Sequence, residues 1–351
     1  MSDFWKVSRR KAIALAAAGM TGLLSPGLAL AADPALIAAA KKEGEVVWYT
    51  TLIVDQAVRP LVEAWSKKYP DIKLTFSRAS STDQAIKLMN ESRAGRVQGD
   101  VFDGSSTIFP LLDAKLVEPY KAEAATTYST DFRDPDGMWH ALNAYFMVVG
   151  YNSKNLSAAD VPKTWEDLLD PKFAGKIAWA TDDSADGPGG FVGMILTRMG
   201  NGPGMDYLGK LARQKIAQVP ANQRVTLDQV IAGEYQIGLM VYNHHIDISK
   251  GKGAPVEWAK ISPAWGTRNH VGIVKGAPHP NAAKLLVEFL LSEDGQAVLR
   301  NAGYISVHPK VPPTNPNLRP DTGKFEYVTV STSVIQENLT RWNKIQAGFF
   351  R

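Results

Sequence analysis

Glu45-Val46-Val47-Trp48-Tyr49-Thr50-Thr51 is a run of β-branched and aromatic residues ending in hydroxyls, and Asp55 to Lys68 follows it with apolar side chains at Val58, Leu61, Val62 and Trp65. That spacing predicts a helix, so the pair reads as strand, loop, helix. The unit recurs. Ile72 to Phe76 is a second strand, after which Ser80-Ser81-Thr82-Asp83 supplies caps for a helix to about Arg93. Asp100-Val101-Phe102-Asp103 is a third strand, and Ser105-Ser106-Thr107 leads into a helix to Ala114. Such alternation predicts a doubly wound α/β fold with a largely parallel sheet. Ligands of these sheets sit beyond the carboxyl ends of the strands. Thr50, Thr51, Arg78, Ser80, Ser81, Ser105 and Ser106 are therefore expected at one polar edge. Any one hydroxyl is explained by helix capping; three loops meeting at one edge argue for a site.

A second α/β unit follows. Ala144 to Gly150 is an apolar strand, Thr164 caps a helix that Pro171 stops, and Lys176 to Ala180 is a strand leading through a loop to a helix over Gly189 to Arg198. Further helices are predicted over Tyr207–Gln214 and Leu227–Ala232, and a strand over Gln236–Val241. That strand runs into Tyr242-Asn243-His244-His245, a cluster of ligand-capable side chains read as one wall of a cleft. Val271–Lys275 is another strand, helices follow from Pro280 to Leu291 and from Ser292 to Asn301, and an amphipathic helix over Ser333–Gly348 closes the chain.

The first residues differ in character. Lys6, Arg9, Arg10 and Lys11 precede the small and apolar run Ala12 to Leu24, and Ala29-Leu30-Ala31 has the small-x-small pattern of a cleavage site. This reads as an export signal over residues 1–31, cut near Ala31, and Ser8-Arg9-Arg10-Lys11 partly matches a twin-arginine motif, with Ala12 where a Phe is usual. Removing it lowers Lys+Arg from 39 to 35 and Asp+Glu from 35 to 34, so the net charge falls from +4 to +1. No basic run remains, and nucleic acid is not an expected partner. There are no cysteines, which excludes thiol nucleophiles, iron–sulfur clusters and Cys-type zinc sites.

Several stretches resemble one family: Asp100-Val101-Phe102-Asp103, Val161-Pro162 through Trp165-Glu166-Asp167-Leu168 to Pro171-Lys172-Phe173-Ala174-Gly175-Lys176, Gly233-Glu234, Lys275-Gly276-Ala277-Pro278-His279-Pro280-Asn281-Ala282-Ala283, and Leu290 to Gln296. They resemble the periplasmic solute-binding proteins of ABC importers, in the cluster that includes ferric-iron, thiamine, phosphosugar and aminoethylphosphonate binders. The resemblance implies a type II periplasmic-binding-protein-like fold of two doubly wound α/β lobes joined by a two-strand hinge. Lobe 1 is then 32–143 with 272–308, and lobe 2 is 144–271 with 309–351. Ala144 to Tyr151 and Trp265 to Val271 become the crossovers. The implied partners are a small-molecule ligand and an inner-membrane ABC permease, with the chain a periplasmic monomer that needs no cofactor and closes on its ligand.

Ferric-iron members of that cluster carry two adjacent tyrosines after the strand that follows Gly-Glu. Counted from Gly233-Glu234, those positions hold Asn243 and His244, which argues against a tyrosinate iron site. A small anionic organic solute is the expected ligand. Gly187-Pro188-Gly189-Gly190-Phe191 opens a helix whose free N–H groups would receive an anion, helped by Asn222 or Gln223 and by Tyr242, Asn243 and His244. Arg78, Arg224 or Arg268 would neutralise charge, and Trp139, Tyr145, Trp179 and Tyr242 are candidate cleft aromatics, each also explicable as core. Two alternatives stand beside this: iron(III) or another metal or chelate, with His244 and His245 as ligands, and a periplasmic metal-dependent hydrolase. No Gly-x-Ser-x-Gly elbow or His-Glu-x-x-His accompanies the histidines, so no catalytic residue is assigned.

Overall fold

A computed structural model describes residues 33–350 apart from Asp182. The export segment read at residues 1–31 lies outside them. Asp33 Oδ1 accepts from Ala35 N–H at 2.9 Å and Pro34 occupies the first turn, so helix α1 (Pro34–Glu43) starts there; Gly44, at φ 74°, ends it with a left-handed turn no Cβ would favour. Strand β1 (Glu45–Thr50) leads through a π-helical turn into α2 (Arg59–Lys68), and β2 (Lys73–Arg78) leads into α3 (Ser81–Arg93), capped by Ser80. Next come β3 (Val101–Gly104), α4 (Ile108–Asp113), β4 (Val117–Glu118) and the long β5 (His140–Asn152).

The chain then builds β6 (Ile177–Ala180), α5 (Pro188–Met199), α6 (Asn201–Ala212), β7 (Ala217–Val219), α7 (Gln223–Ala232), β8 (Ile237–Tyr242) and α8 (Asn243–Gly251). Strands β9 (Val256–Ala259) and β10 (Ala264–Val274) lead back to α9 (Pro280–Leu291) and α10 (Glu293–Asn301). The short α11 (Pro320–Gly323) and β11 (Tyr327–Val328) precede the closing helix α12 (Thr332–Phe349).

The strands join in the order β2-β1-β3-β10-β5-β8-β6-β7, with β4 and β11 paired to β10 and β9 to β5. Strands β1, β2 and β3 are mutually parallel, as are β6, β7 and β8. The antiparallel pair β10 and β5 runs between these parallel wings. This is the two-lobed α/β type II periplasmic binding architecture, with two long strands as the connection. The wings place the loops after β1, β2 and β3, and those after β6, β7 and β8, beside one another.

Buried apolar contacts hold the halves. Trp65 packs against Tyr69 and Phe289 with ring centroids 4.7 and 5.5 Å away, pinning α2 to α9. Each such side chain contributes about 2–3 kcal/mol when taken from water. On the other half Gly193 lets Trp342 of α12 lie flat against α5. Trp179 meets Phe191 and Phe350, and Trp139 sits edge-on to His270, so both tryptophans are core rather than cleft residues.

The structure departs from the sequence pattern in four places. Thr164 to Pro171 forms 3-10 turns over Glu166–Leu169 and Pro171–Phe173, because prolines at 162 and 171 leave too few residues for a helix. The predicted strand Ala144–Gly150 is the middle of the longer β5, and Val271–Lys275 covers the carboxyl-terminal end of the longer β10 and one residue beyond. Strands β4, β7, β9 and β11 are too short to give a period and were not foreseen. Asn243, His244 and His245, expected at a strand end, open helix α8.

Candidate functional site

The carboxyl ends of both wings open on a cleft of about 790 Å³. Thr51, Ile53 and Val54 follow β1, Arg78 to Thr82 follow β2, and Ser105 follows β3. From the other wing come Thr181, Ser184 and Asp186 after β6, Pro220 to Arg224 after β7, and Tyr242, His244 and His245 after β8. Tyr145 of β5 and Tyr304 beyond α10 complete the floor.

Helix caps shape the rim. Ser80 Oγ accepts from Asp83 N–H at 3.2 Å, and Asn222 Oδ1 accepts from Arg224 and Val225 N–H at 3.0 and 3.2 Å. No side chain caps α8, whose N-cap is Tyr242. Arg78 is exposed at the rim, while Arg224 forks onto Asp228 at 2.6 and 3.2 Å and reaches Ser249 Oγ at 3.0 Å.

The floor is aromatic. Tyr145 lies 4.8 Å from the Tyr242 ring and stacks on His244 at 5.5 Å; His244 in turn meets His245 at 4.4 Å and Tyr304 at 5.3 Å. Tyr242 donates its hydroxyl to Asp186 Oδ2 at 2.9 Å, and the Tyr304 hydroxyl accepts from Ile53 N–H at 3.2 Å. Burial lowers His245 to about 3 and His244 well below the ordinary histidine value, with nearby Arg224 adding to both. Both rings are therefore neutral at physiological pH, and neither nitrogen of His244 has a hydrogen-bond partner among the described residues. Burial also pushes Tyr304 up to about 12.

A backbone irregularity aims this floor. Between Val148 and Gly150 the β5–β8 register slips, leaving Leu239 and Met240 opposite Val149, and Met240 has φ 55°. This is a β-bulge with a left-handed residue. Its effect is visible in the packing: a Cβ at Gly238 would meet Val241, three residues on, at 3.2 Å, on the side where Val230 and Thr226 of α7 also lie. Tyr242 thereby turns the opposite way, into the cleft.

Of the residues singled out from sequence, Thr51, Ser80, Ser81, Ser105, Gln223, Tyr242, His244 and His245 line this cleft, with Arg78, Arg224 and Tyr145. Others lie outside it. Thr50 is fully buried and accepts from Leu52 N–H at 3.1 Å. Ser106 accepts from Ala185 N–H at 2.9 Å, and Asn243 Nδ2 donates to the Leu318 carbonyl at 3.0 Å. Gly189 and Gly190 are buried, a Cβ on them would meet Asn343 and the Ala185 carbonyl respectively, and neither is among the residues lining the cleft. Arg268 is buried and donates to the Asp131 carbonyl at 2.6 Å, away from the cleft. Asp186 and Tyr304 were not foreseen: one follows an unpatterned loop, the other a helix end, and neither position carries a periodic signal.

The family model for bacterial extracellular solute-binding proteins matches residues 99–329. An uncharacterized protein of Haemophilus influenzae is 28% identical over 299 residues, covering 81% of each chain. A Salmonella typhimurium protein named for binding 2-aminoethylphosphonate is 25% identical over 254 residues, 67% of this chain and 73% of its own. A Serratia marcescens protein named for binding Fe(3+) is 23% identical over 296 residues, 80% and 86% of the two chains. Among solved structures, a periplasmic binding protein of Actinobacillus pleuropneumoniae with fructose-6-phosphate bound superposes with TM-score 0.77 at 22% identity, covering 88% of this chain and 98% of that one. The ferric binding protein of Campylobacter jejuni superposes with TM-score 0.72 at 20% identity, covering 87% and 100%. Membership in such a family implies a small-molecule ligand and a cognate ABC permease, and it sets aside the hydrolase alternative. The chain belongs to the bacterial extracellular solute-binding proteins, the periplasmic binding components of ABC transporters.

Proposed function

We propose that the cleft captures a small, oxygen-rich anionic organic solute and presents it to a membrane permease. The observation that carries this is the placement of two helix N-termini, α3 from one wing and α7 from the other, on a single cleft with Arg78 and Arg224 beside them. The positive ends of the two helices favour an anion, and lobe closure brings both onto it. A volume of about 790 Å³ suits an organic solute rather than a bare ion.

A second reading, iron(III) or another metal held directly or as a chelate, has its own support. Relatives and structures named for iron recur among the similar proteins. They speak for the metal more than the cleft does. The imidazoles of His244 and His245 and the phenols of Tyr145, Tyr242 and Tyr304 gather on the floor. Among the described residues no group of three or more His, Asp or Glu side chains is placed to hold an ion, so a bare ion would have to draw on these phenols.

Calorimetric titration with sugar phosphates, phosphonates, di- and tricarboxylates, Fe(III), ferric citrate, Zn(II) and Ni(II) separates the two. An organic anion binding without metal, with affinity falling about tenfold in Arg78→Ala, is expected. Binding confined to metals or their chelates would replace the first reading by the second.

A further inference from the structure

His244 and His245 stand in the first turn of α8 and line the cleft, at 1% and 8% exposure. Neither ring nitrogen of His244 has a hydrogen-bond partner among the described residues, and nor has Nδ1 of His245. The other histidines behave differently. His140 Nε2 accepts from Ala122 N–H, His308 Nδ1 accepts from Lys310 N–H, His279 Nδ1 bonds Asp100, and His270 Nε2 lies 3.4 Å from Thr332 Oγ1. Each of those four is tied into the fold through a ring nitrogen, as buried polar groups ordinarily are. His244 lies instead among rings: Tyr145 stacks on it, and Tyr242 and Tyr304 have centroids 5.4 and 5.3 Å away. The Tyr242 hydroxyl is given to Asp186 and the Tyr304 oxygen takes Ile53 N–H, so neither phenol bonds the imidazole.

What such a pair can recognise follows from its protonation. Burial keeps both rings neutral, and a neutral imidazole carries one N–H donor and one acceptor lone pair. A fully ionised carboxylate, phosphate or phosphonate brings acceptors alone, and an ammonium brings donors alone. Either would leave half of each ring unpaired in a buried place, which is the costly outcome. A hydroxyl gives and takes through one oxygen, so it answers both halves of the ring. Because the nitrogens are screened by the surrounding rings, a hydroxyl reaches them as those rings adjust during lobe closure.

We propose that His244 and His245 form a hydroxyl-recognising subsite in the cleft floor, so that the solute is an anion whose carbon body carries hydroxyl groups. This rests on the anionic reading above and narrows it. The charged end belongs with Arg78 and the starts of α3 and α7, and the hydroxylated body belongs against the start of α8. The flanking rings of Tyr145, Tyr242 and Tyr304 then offer apolar faces to the carbons between the hydroxyls. Phosphorylated polyols and polyhydroxy acids share this chemistry.

The test is calorimetric titration of the purified protein with solutes that share an anion and differ in the body. Glucose 6-phosphate and gluconate are compared with cyclohexylmethyl phosphate and hexanoate, and 2-hydroxyethylphosphonate with ethylphosphonate and 2-aminoethylphosphonate. A hydroxylated member is expected to bind at least about tenfold tighter than its counterparts. In His244→Phe, which keeps a flat ring for the stacking and removes both nitrogens, that preference is expected to shrink to about threefold or less. The melting temperature of the variant checks its fold, and the wild-type comparison stands without it. Equal or tighter binding of the alkyl or amino members overturns the subsite and leaves the anionic reading intact, and absence of binding by every hydroxylated member overturns the subsite too. Binding confined to Fe(III) or Zn(II), titrated alongside, overturns the anionic reading and the subsite together.

Discussion

The hydroxyl of Tyr242, second residue beyond the β8 bulge, donates to Asp186 Oδ2 at 2.9 Å and so ties the end of β8 to the loop before α5. Asp186 is almost wholly buried, at 1% exposure, so its carboxylate depends on protein donors. Tyr242→Phe is expected to destabilise the fold by about 2 kcal/mol while leaving the ring stacking in place. The urea midpoint with an unchanged m-value measures it. A loss below about 0.5 kcal/mol would mean that this bond contributes nothing net.

The bond illustrates what could be read in advance. The α/β alternation was legible because strands β1, β2 and β3 carry β-branched runs and their helices carry a clear period. Loop hydroxyls at Thr51, Ser80, Ser81 and Ser105 were legible because parallel strands deliver all their carboxyl ends to one edge. Asp186 and Tyr304 were not, since their positions depend on how loops fold back over distances no local pattern records. Gly189 and Gly190 were read as an anion loop because glycine before a helix fits close packing and ligand approach equally well. What decides between them is Asn343, over 150 residues away in sequence, which fills the space.

That packing yields a second prediction. A Cβ at Gly193 would lie 2.6 Å from Cε3 and Cζ3 of Trp342. Gly193→Ala should cost about 1–3 kcal/mol through displacement of α12, despite its better helix propensity. Combining it with Trp342→Leu should give less than the sum of the single losses in a double-mutant cycle. Strict additivity would show that the two side chains do not compete for one space.

Histidine burial predicts the acid limb of stability. His245 and His270 are lowered to about 3 and His140 to about 4, all chiefly by burial, with Arg224, Arg268 and Arg133 respectively adding to it. The folded values lie below the unfolded value of about 6.5, so the unfolded chain binds protons that the folded chain refuses. Their contribution is complete above pH 6.5 and is lost as pH falls toward the folded values. By pH 5 the loss for His245 alone is about 2 kcal/mol. Urea unfolding at pH 7.5 and pH 5 measures the slope, and His245→Gln should flatten it. An identical slope in the variant would place the proton uptake elsewhere.

The left-handed Met240 has a consequence for how such clefts diversify. Because side chains alternate along β8, the extra residue at the bulge decides which of them face the solute and which face α7. A relative lacking the one extra residue of the bulge would keep the other side chains of this stretch and still exchange the cleft wall for its back. Binding preference can thus change by strand length alone, with no substitution among the contact residues, and aligning such chains by residue type would hide the change.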